Sequence, residues 1–237
     1  NGVVRMPKSF IKAYQKFVNT GWFSVIGEKK YGGQDLPLSA VVMINEIWHS
    51  TNMSFATNNM LTQGAVELLE SHGNDKQKEY YLPNLISGKW SGTMNLTEPH
   101  AGSDLSSIKT KAIEKNKQFL IKGTKIYITH GDQDMSDNII HLVLAKLPNA
   151  PEGVKGISLF LVPKYYLNDK GTKVKNDIKV VSVEHKLGHN ASPTCVLSFG
   201  ENEGAIGELV GEPNQGLKAM FTMMNNARLN VGVQGLA

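Results

Sequence analysis

The chain has 237 residues, 41% hydrophobic and 19% charged, a balance that builds a packed core and excludes a disordered polymer. Its formal net charge of +4 is spread over scattered lysines, so no basic stripe demands nucleic acid. No apolar run reaches the ~18 residues of a membrane-spanning helix, and the N-terminus shows no signal-peptide pattern. The one cysteine, Cys195, excludes an internal disulfide or a cysteine metal cluster and suits a reducing compartment.

In chain order, Phe10, Ile11, Tyr14, Phe17 and Val18 fall at helical spacing and predict a helix over 9–20. A Gly-rich loop over 27–37 follows. Apolar periodicity predicts helices over 38–49 and 54–71, the latter ending at Gly73. Asn74 and Asp75 offer a cap for a helix over 76–86, in spite of Pro83. From Trp90 the pattern changes to short alternating or β-branched segments. Strands are predicted over 91–96, 109–114, 118–122, 125–129, 138–146, 156–163, 178–183 and 195–199, with a hairpin turn at Lys115-Asn116-Lys117. The polar stretch 164–177 reads as an excursion between strands. Residues 211–216 form a loop ahead of a helix over 217–237 that carries Met220, Met223 and Met224. The expected fold class is α+β: an all-helical N-terminal domain (1–90), a middle β-barrel or sandwich (91–211), and the first helix of a truncated C-terminal helical bundle (212–237). The chain opens at Asn1 without Met and closes inside a helical pattern, so it is expected to be a fragment of a longer protein.

The segment Met94-Asn95-Leu96-Thr97-Glu98-Pro99-His100-Ala101-Gly102-Ser103-Asp104 joins a strand, a Pro turn and a loop of small residues. Small residues let a backbone approach a phosphate closely, and Thr97 and Ser103 supply hydroxyls on either side of the turn. It is neither a Rossmann nor a Walker loop. Further along, Lys125-Ile126-Tyr127-Ile128-Thr129-His130-Gly131 places a planar ring and a hydroxyl on a predicted strand, and such a ring can stack on a flat cofactor. His185 and His189 sit four apart beside Gly188, in a turn with no third ligand, so no metal site is expected.

The first segment closely resembles the T-E-P-x-A-G-S-D flavin-binding motif of the acyl-CoA dehydrogenases, and the second resembles their W-I-T-N-G stretch, with Tyr127 at the Trp position. The Tyr-Gly-Gly loop at 31–33 and Lys78-Glu79-Tyr80-Tyr81-Leu82-Pro83 are similar to the family's N-terminal domain. The resemblance implies bound FAD, with Met94, Asn95, Leu96, Thr97, Gly102, Ser103, Tyr127, Ile128 and Thr129 as cofactor-binding residues. Ser103, Asn225 and Arg228 would meet the CoA substrate, although Asn225 stands where the family's helix carries an acidic residue. The implied activity is α,β-dehydrogenation of an acyl-CoA to the trans-2-enoyl-CoA. Electron-transfer flavoprotein is the implied acceptor, and a homodimer or homotetramer the implied assembly. The implied location is the cytoplasm of a bacterium or the mitochondrial matrix of a eukaryote. The position before Arg228 is Ala227, which cannot take a proton, so the catalytic base is expected beyond residue 237. An acyl-CoA oxidase and a DNA-associated alkylation-response flavoprotein share the fold and stand as alternatives.

Overall fold

Helix α1 (Lys8–Asn19) turns its apolar stripe inward, and the Tyr14 hydroxyl donates to the Gly88 carbonyl at 2.7 Å. The computed structural model describes residues 2–116 and 118–237. The two helices predicted over 38–71 form one element, α2 (Leu38–His72), broken at Asn52 where φ is −158° and ψ is 95°. Asn52 Oδ1 accepts the Phe55 N–H at 3.0 Å, so the residue that breaks the first half caps the second.

Helix α3 (Asp75–Ile86) starts from a capping box. Asn74 Oδ1 accepts the Gln77 N–H at 3.0 Å, and Gln77 Oε1 accepts the Asn74 N–H at 3.1 Å. It runs through Pro83 and closes with the Ser87 N–H on the Pro83 carbonyl. Asn74→Ala removes one of these bonds and is expected to cost about 1 kcal/mol. Chemical denaturation would show it as a lower midpoint at unchanged slope.

The β-rich part holds β1 (Trp90–Asn95), β2 (Lys111–Lys115), β3 (Gln118–Thr129), β4 (Asn138–Lys146), β5 (Ile157–Pro163), β8 (Ile178–Val183), β9 (Thr194–Phe199) and β10 (Ala205–Val210) in one sheet. A separate pair, β6 (Tyr165–Leu167) and β7 (Lys173–Lys175), occupies the stretch read as an excursion. The order β4–β5–β10–β3 is closed by β2, which pairs with β3 and touches β4 at Lys111 and Lys146, making a barrel. Strand β1 adds parallel to β4, and β9 and β8 extend from β3.

Three expectations are corrected here. The strands predicted over 118–122 and 125–129 are one strand, β3, because Gly123 and Thr124 stay in register with Phe199 and Ser198. Strand β10 was not predicted; its central Gly207 weakened the strand pattern, yet a Cβ there would crowd Val162 Cγ2 at 3.0 Å. The 164–177 excursion contains paired strands. Of the predicted hairpin turn, Lys117 lies outside the described residues, while Lys115 pairs with Gln118 across it.

Alternation along β4 and β5 serves two cores. Val143, Ala145, Phe160 and Val162 fill the barrel, whereas Leu142, Leu144, Leu159 and Leu161 pack against the helices. Helix α4 (Gly216–Leu236) lies on this outer face and against α2, with Met220 and Met223 buried in the helical core. The chain leaving β1 runs beside β3 near Lys125 and Ile126.

Candidate functional site

The site is built where the chain leaves β1. The Ile126 N–H donates to the Thr97 carbonyl at 2.9 Å, and Lys125 Nζ donates to the Leu96 carbonyl at 2.9 Å. The two sequence motifs are thus joined through their backbones. Glu98 and Ala101 exchange both N–H···O bonds, 2.9 and 3.0 Å, closing a tight turn around Pro99 and His100.

Beneath this turn lies an ion pair that the motifs alone do not reveal. Lys125 Nζ is 2.8 Å from Glu98 Oε1, and the side chains are 0% and 2% exposed. Glu98 also accepts the Lys109 N–H at 2.7 Å, the Thr110 N–H at 3.1 Å and the Thr110 hydroxyl. Burial pushes the Glu98 carboxyl up, but the Lys125 charge and these donors together outweigh it and hold it below its ordinary value. Burial also pushes the Lys125 ammonium down, against the pull of Glu98, to about 8.

Past Lys125, β3 slips register against β9 between Lys125 and Ile128. Tyr127 sits in this bulge at φ +58°, a conformation a bulky residue seldom adopts, and its side chain is thrust outward, 62% exposed. Ile128 returns to the barrel core, and Thr129 pairs with Thr194. His130 follows, buried, with Nε2 3.1 Å from the Ser192 hydroxyl and 3.3 Å from the Ser54 carbonyl. Burial pushes its imidazole down to about 4, so it stays neutral at ordinary pH.

Thr97, Tyr127 and Thr129 therefore share the β1–β3 junction, while Gly102 and Ser103 lie exposed just past the turn. Met94 and Leu96 are half-buried against the helical core. The Asn95 side chain is buried: Nδ2 donates to Thr93 Oγ1 at 2.9 Å, which lies 2.7 Å from His141 Nδ1, while Oδ1 has no partner among the described residues. Ile128, buried in the barrel core, offers a ligand only its backbone. Asn225 and Arg228 are exposed on α4 and bond to each other at 2.7 Å, with no hydrogen bond or ion pair to the junction among the described residues. Sequence reasoning gave Lys125 no role; a lysine inside an apolar strand pattern was the available signal.

The residues suit a flat cofactor with phosphates. The Thr97, Ser103 and Thr129 hydroxyls have no protein hydrogen bond among the described residues and are free to donate. A Cβ built on Gly102 would meet only Thr97 Cγ2, at 3.9 Å, so nothing in the protein fills the space beside that backbone. An exposed ring beside free hydroxyls and a small-residue turn is the donor set such a group needs.

The acyl-CoA dehydrogenase N-terminal domain family matches residues 4–89, and the acyl-CoA dehydrogenase middle domain family matches residues 93–201. The chain belongs to the acyl-CoA dehydrogenase family, whose members depend on FAD. It is 49% identical to 3-methylmercaptopropionyl-CoA dehydrogenase of Ruegeria pomeroyi, over 100% of this chain and 40% of that protein. It is 38% identical to a butyryl-CoA dehydrogenase of Syntrophomonas wolfei, over 95% of this chain and 38% of that protein. An acyl-CoA dehydrogenase structure from Bacillus anthracis, complexed with FAD, superposes with a TM-score of 0.79 at 25% identity, covering 95% of this chain and 36% of that one. The chain spans about two fifths of the length of these curated relatives.

Proposed function

We propose that this chain carries the FAD-holding part of an enzyme that dehydrogenates an acyl-CoA thioester to the trans-2-enoyl-CoA. The observation that carries this reading is the Tyr127 ring, raised from the β3 bulge beside Thr97 and its unpartnered hydroxyl. Family membership and the acyl-CoA substrates named for its relatives support it.

FAD, when bound, supplies the hydride acceptor. The chain's own residues bind and orient. The Leu96 and Thr97 amides and the Thr97 hydroxyl would donate to the flavin's polar edge, where negative charge would grow on reduction. Tyr127 would cover the ring, with the Thr129 hydroxyl alongside it. Gly102 and Ser103 would meet the pyrophosphate, and Ser103 would also meet CoA. Asn225 and Arg228 offer a planar, charged contact for the nucleotide end of the substrate. The α-proton goes to a base outside this chain: Glu98 is committed to Lys125, Lys109 and Thr110, and Ala227 carries no titratable group. Electrons pass on to an electron-transfer flavoprotein, and the whole protein works as a homodimer or homotetramer.

The purified whole protein is expected to be yellow, to release FAD on denaturation, and to bleach when an acyl-CoA is added without oxygen. Slow reoxidation by air marks a dehydrogenase, and fast reoxidation marks an oxidase. A colourless protein that takes up no added FAD overturns the reading. Tyr127→Ala removes the stacked ring and is expected to cost about 1 kcal/mol, or roughly fivefold in FAD affinity, readable by flavin fluorescence titration.

A further inference from the structure

The buried Lys125–Glu98 pair lies within the fold, and the motif resemblance gives it no task. Its geometry is one-sided. Glu98 is already held by the Lys109 amide at 2.7 Å, the Thr110 amide at 3.1 Å and the Thr110 hydroxyl. Lys125 has two partners, the Glu98 carboxylate at 2.8 Å and the Leu96 carbonyl at 2.9 Å. The ammonium therefore ties an anchored carboxylate to the peptide that precedes Thr97. The next residue along β3, Ile126, binds the Thr97 carbonyl itself. Two consecutive carbonyls are thus held by two consecutive residues of one strand.

Resting on the flavin reading above, we infer that Lys125 is a positioning residue with an electrostatic effect. It fixes the Leu96–Thr97 backbone that faces the flavin, and its buried charge beside that backbone makes the bound flavin easier to reduce. A positive charge with no access to water acts over a few ångströms with little screening. Glu98, 2.8 Å from the same Nζ, carries the opposite charge, so it partly cancels this field while holding its source in place.

That arrangement gives the two residues opposite signs, which a merely structural ion pair would not. In the whole holoenzyme, Lys125→Met is expected to weaken FAD binding about tenfold. It should also shift the flavin reduction equilibrium toward the oxidised form about tenfold, ~30 mV for a two-electron couple, against a reference dye. Glu98→Gln keeps the shape and removes the opposing charge, so the same equilibrium should move toward the reduced form. Shifts in the same direction for both variants, or no shift in either, overturn the electrostatic role.

The positioning role is read separately in the apoprotein by amide hydrogen exchange. Lys125→Met should speed exchange at Ile126 at least tenfold while the β4 and β5 amides stay protected. Unchanged Ile126 exchange overturns it. A wild-type protein that binds no FAD defeats the flavin reading instead, and leaves the exchange result standing by itself. Should Lys125→Met fail to fold, Lys125→Met/Glu98→Gln removes both charges without leaving either buried alone, and the same affinity and exchange changes are expected of it.

Discussion

Glu98→Ala is expected to be among the most damaging single substitutions in this chain. It strips the acceptor from the Lys109 amide, the Thr110 amide, the Thr110 hydroxyl and Lys125 Nζ at once, and leaves an ammonium buried without its counter-ion. Breaking one partner out of a buried pair costs about 3–5 kcal/mol. In a domain of this size that lowers Tm by roughly 10 °C. FAD binding falls with it, because the turn that carries Gly102 and Ser103 loses its anchor. The wild-type carboxyl is held below its ordinary value, so the native state binds fewer protons there than the unfolded chain. Its contribution is full above the unfolded carboxyl value of 4.5 and is lost as pH falls through the lower folded value. Glu98→Ala should therefore flatten the acid limb of the stability curve, as well as lower it. A variant that melts within about 2 °C of wild type, with the same acid limb, would show that the carboxylate stabilises nothing.

Gly216→Val is expected to detach α4 from the barrel. A Cβ at Gly216 would stand 2.2 Å from the Ser158 carbonyl carbon and 2.3 Å from the Leu159 nitrogen. These are backbone atoms of β5, hydrogen-bonded in the sheet between β4 and β10, so they cannot yield as a flexible side chain would. The helix must lift instead, pulling Met220 and Met223 out of the core they share with Leu159 and Leu161. Overpacking of this kind costs about 3 kcal/mol or more. Loss of near-ultraviolet circular dichroism before loss of helix signal, with a lower denaturation midpoint, would report it. Gly188→Ala is the control: a Cβ there meets nothing within 4 Å, and its stability should match wild type. Equal stability for both variants would mean that α4 is not seated as described.

The sequence determined the elements whose signals are local. Helix α1 follows from the spacing of Phe10, Tyr14 and Phe17, and α3 from the Asn74 cap. Strands β4 and β8 match the predicted bounds 138–146 and 178–183, since Ile139, Ile140, Leu142, Val143 and Leu144 mark the first and Ile178, Val180, Val181 and Val183 the second. The turn closed by Glu98 and Ala101 was legible from Pro99 and the small residues that follow it. Each of these rests on chemistry within a few positions of chain.

Only the tertiary structure decided what those residues do together. Tyr127 reads as an ordinary strand position, and a slip of pairing between β3 and β9 turns it outward. Asn95 belongs to the same motif as Thr97, yet the pleat directs its side chain to Thr93, within reach of His141. The Lys125–Glu98 pair spans a separation of 27 positions, and no periodicity connects its members. A lysine in an apolar strand is costly unless a carboxylate meets it, and which carboxylate does so is set by how β1 and β3 come together. Periodicity is a property of neighbours along the chain, whereas register, bulges and buried charge pairing depend on contacts that exist only once the barrel has closed.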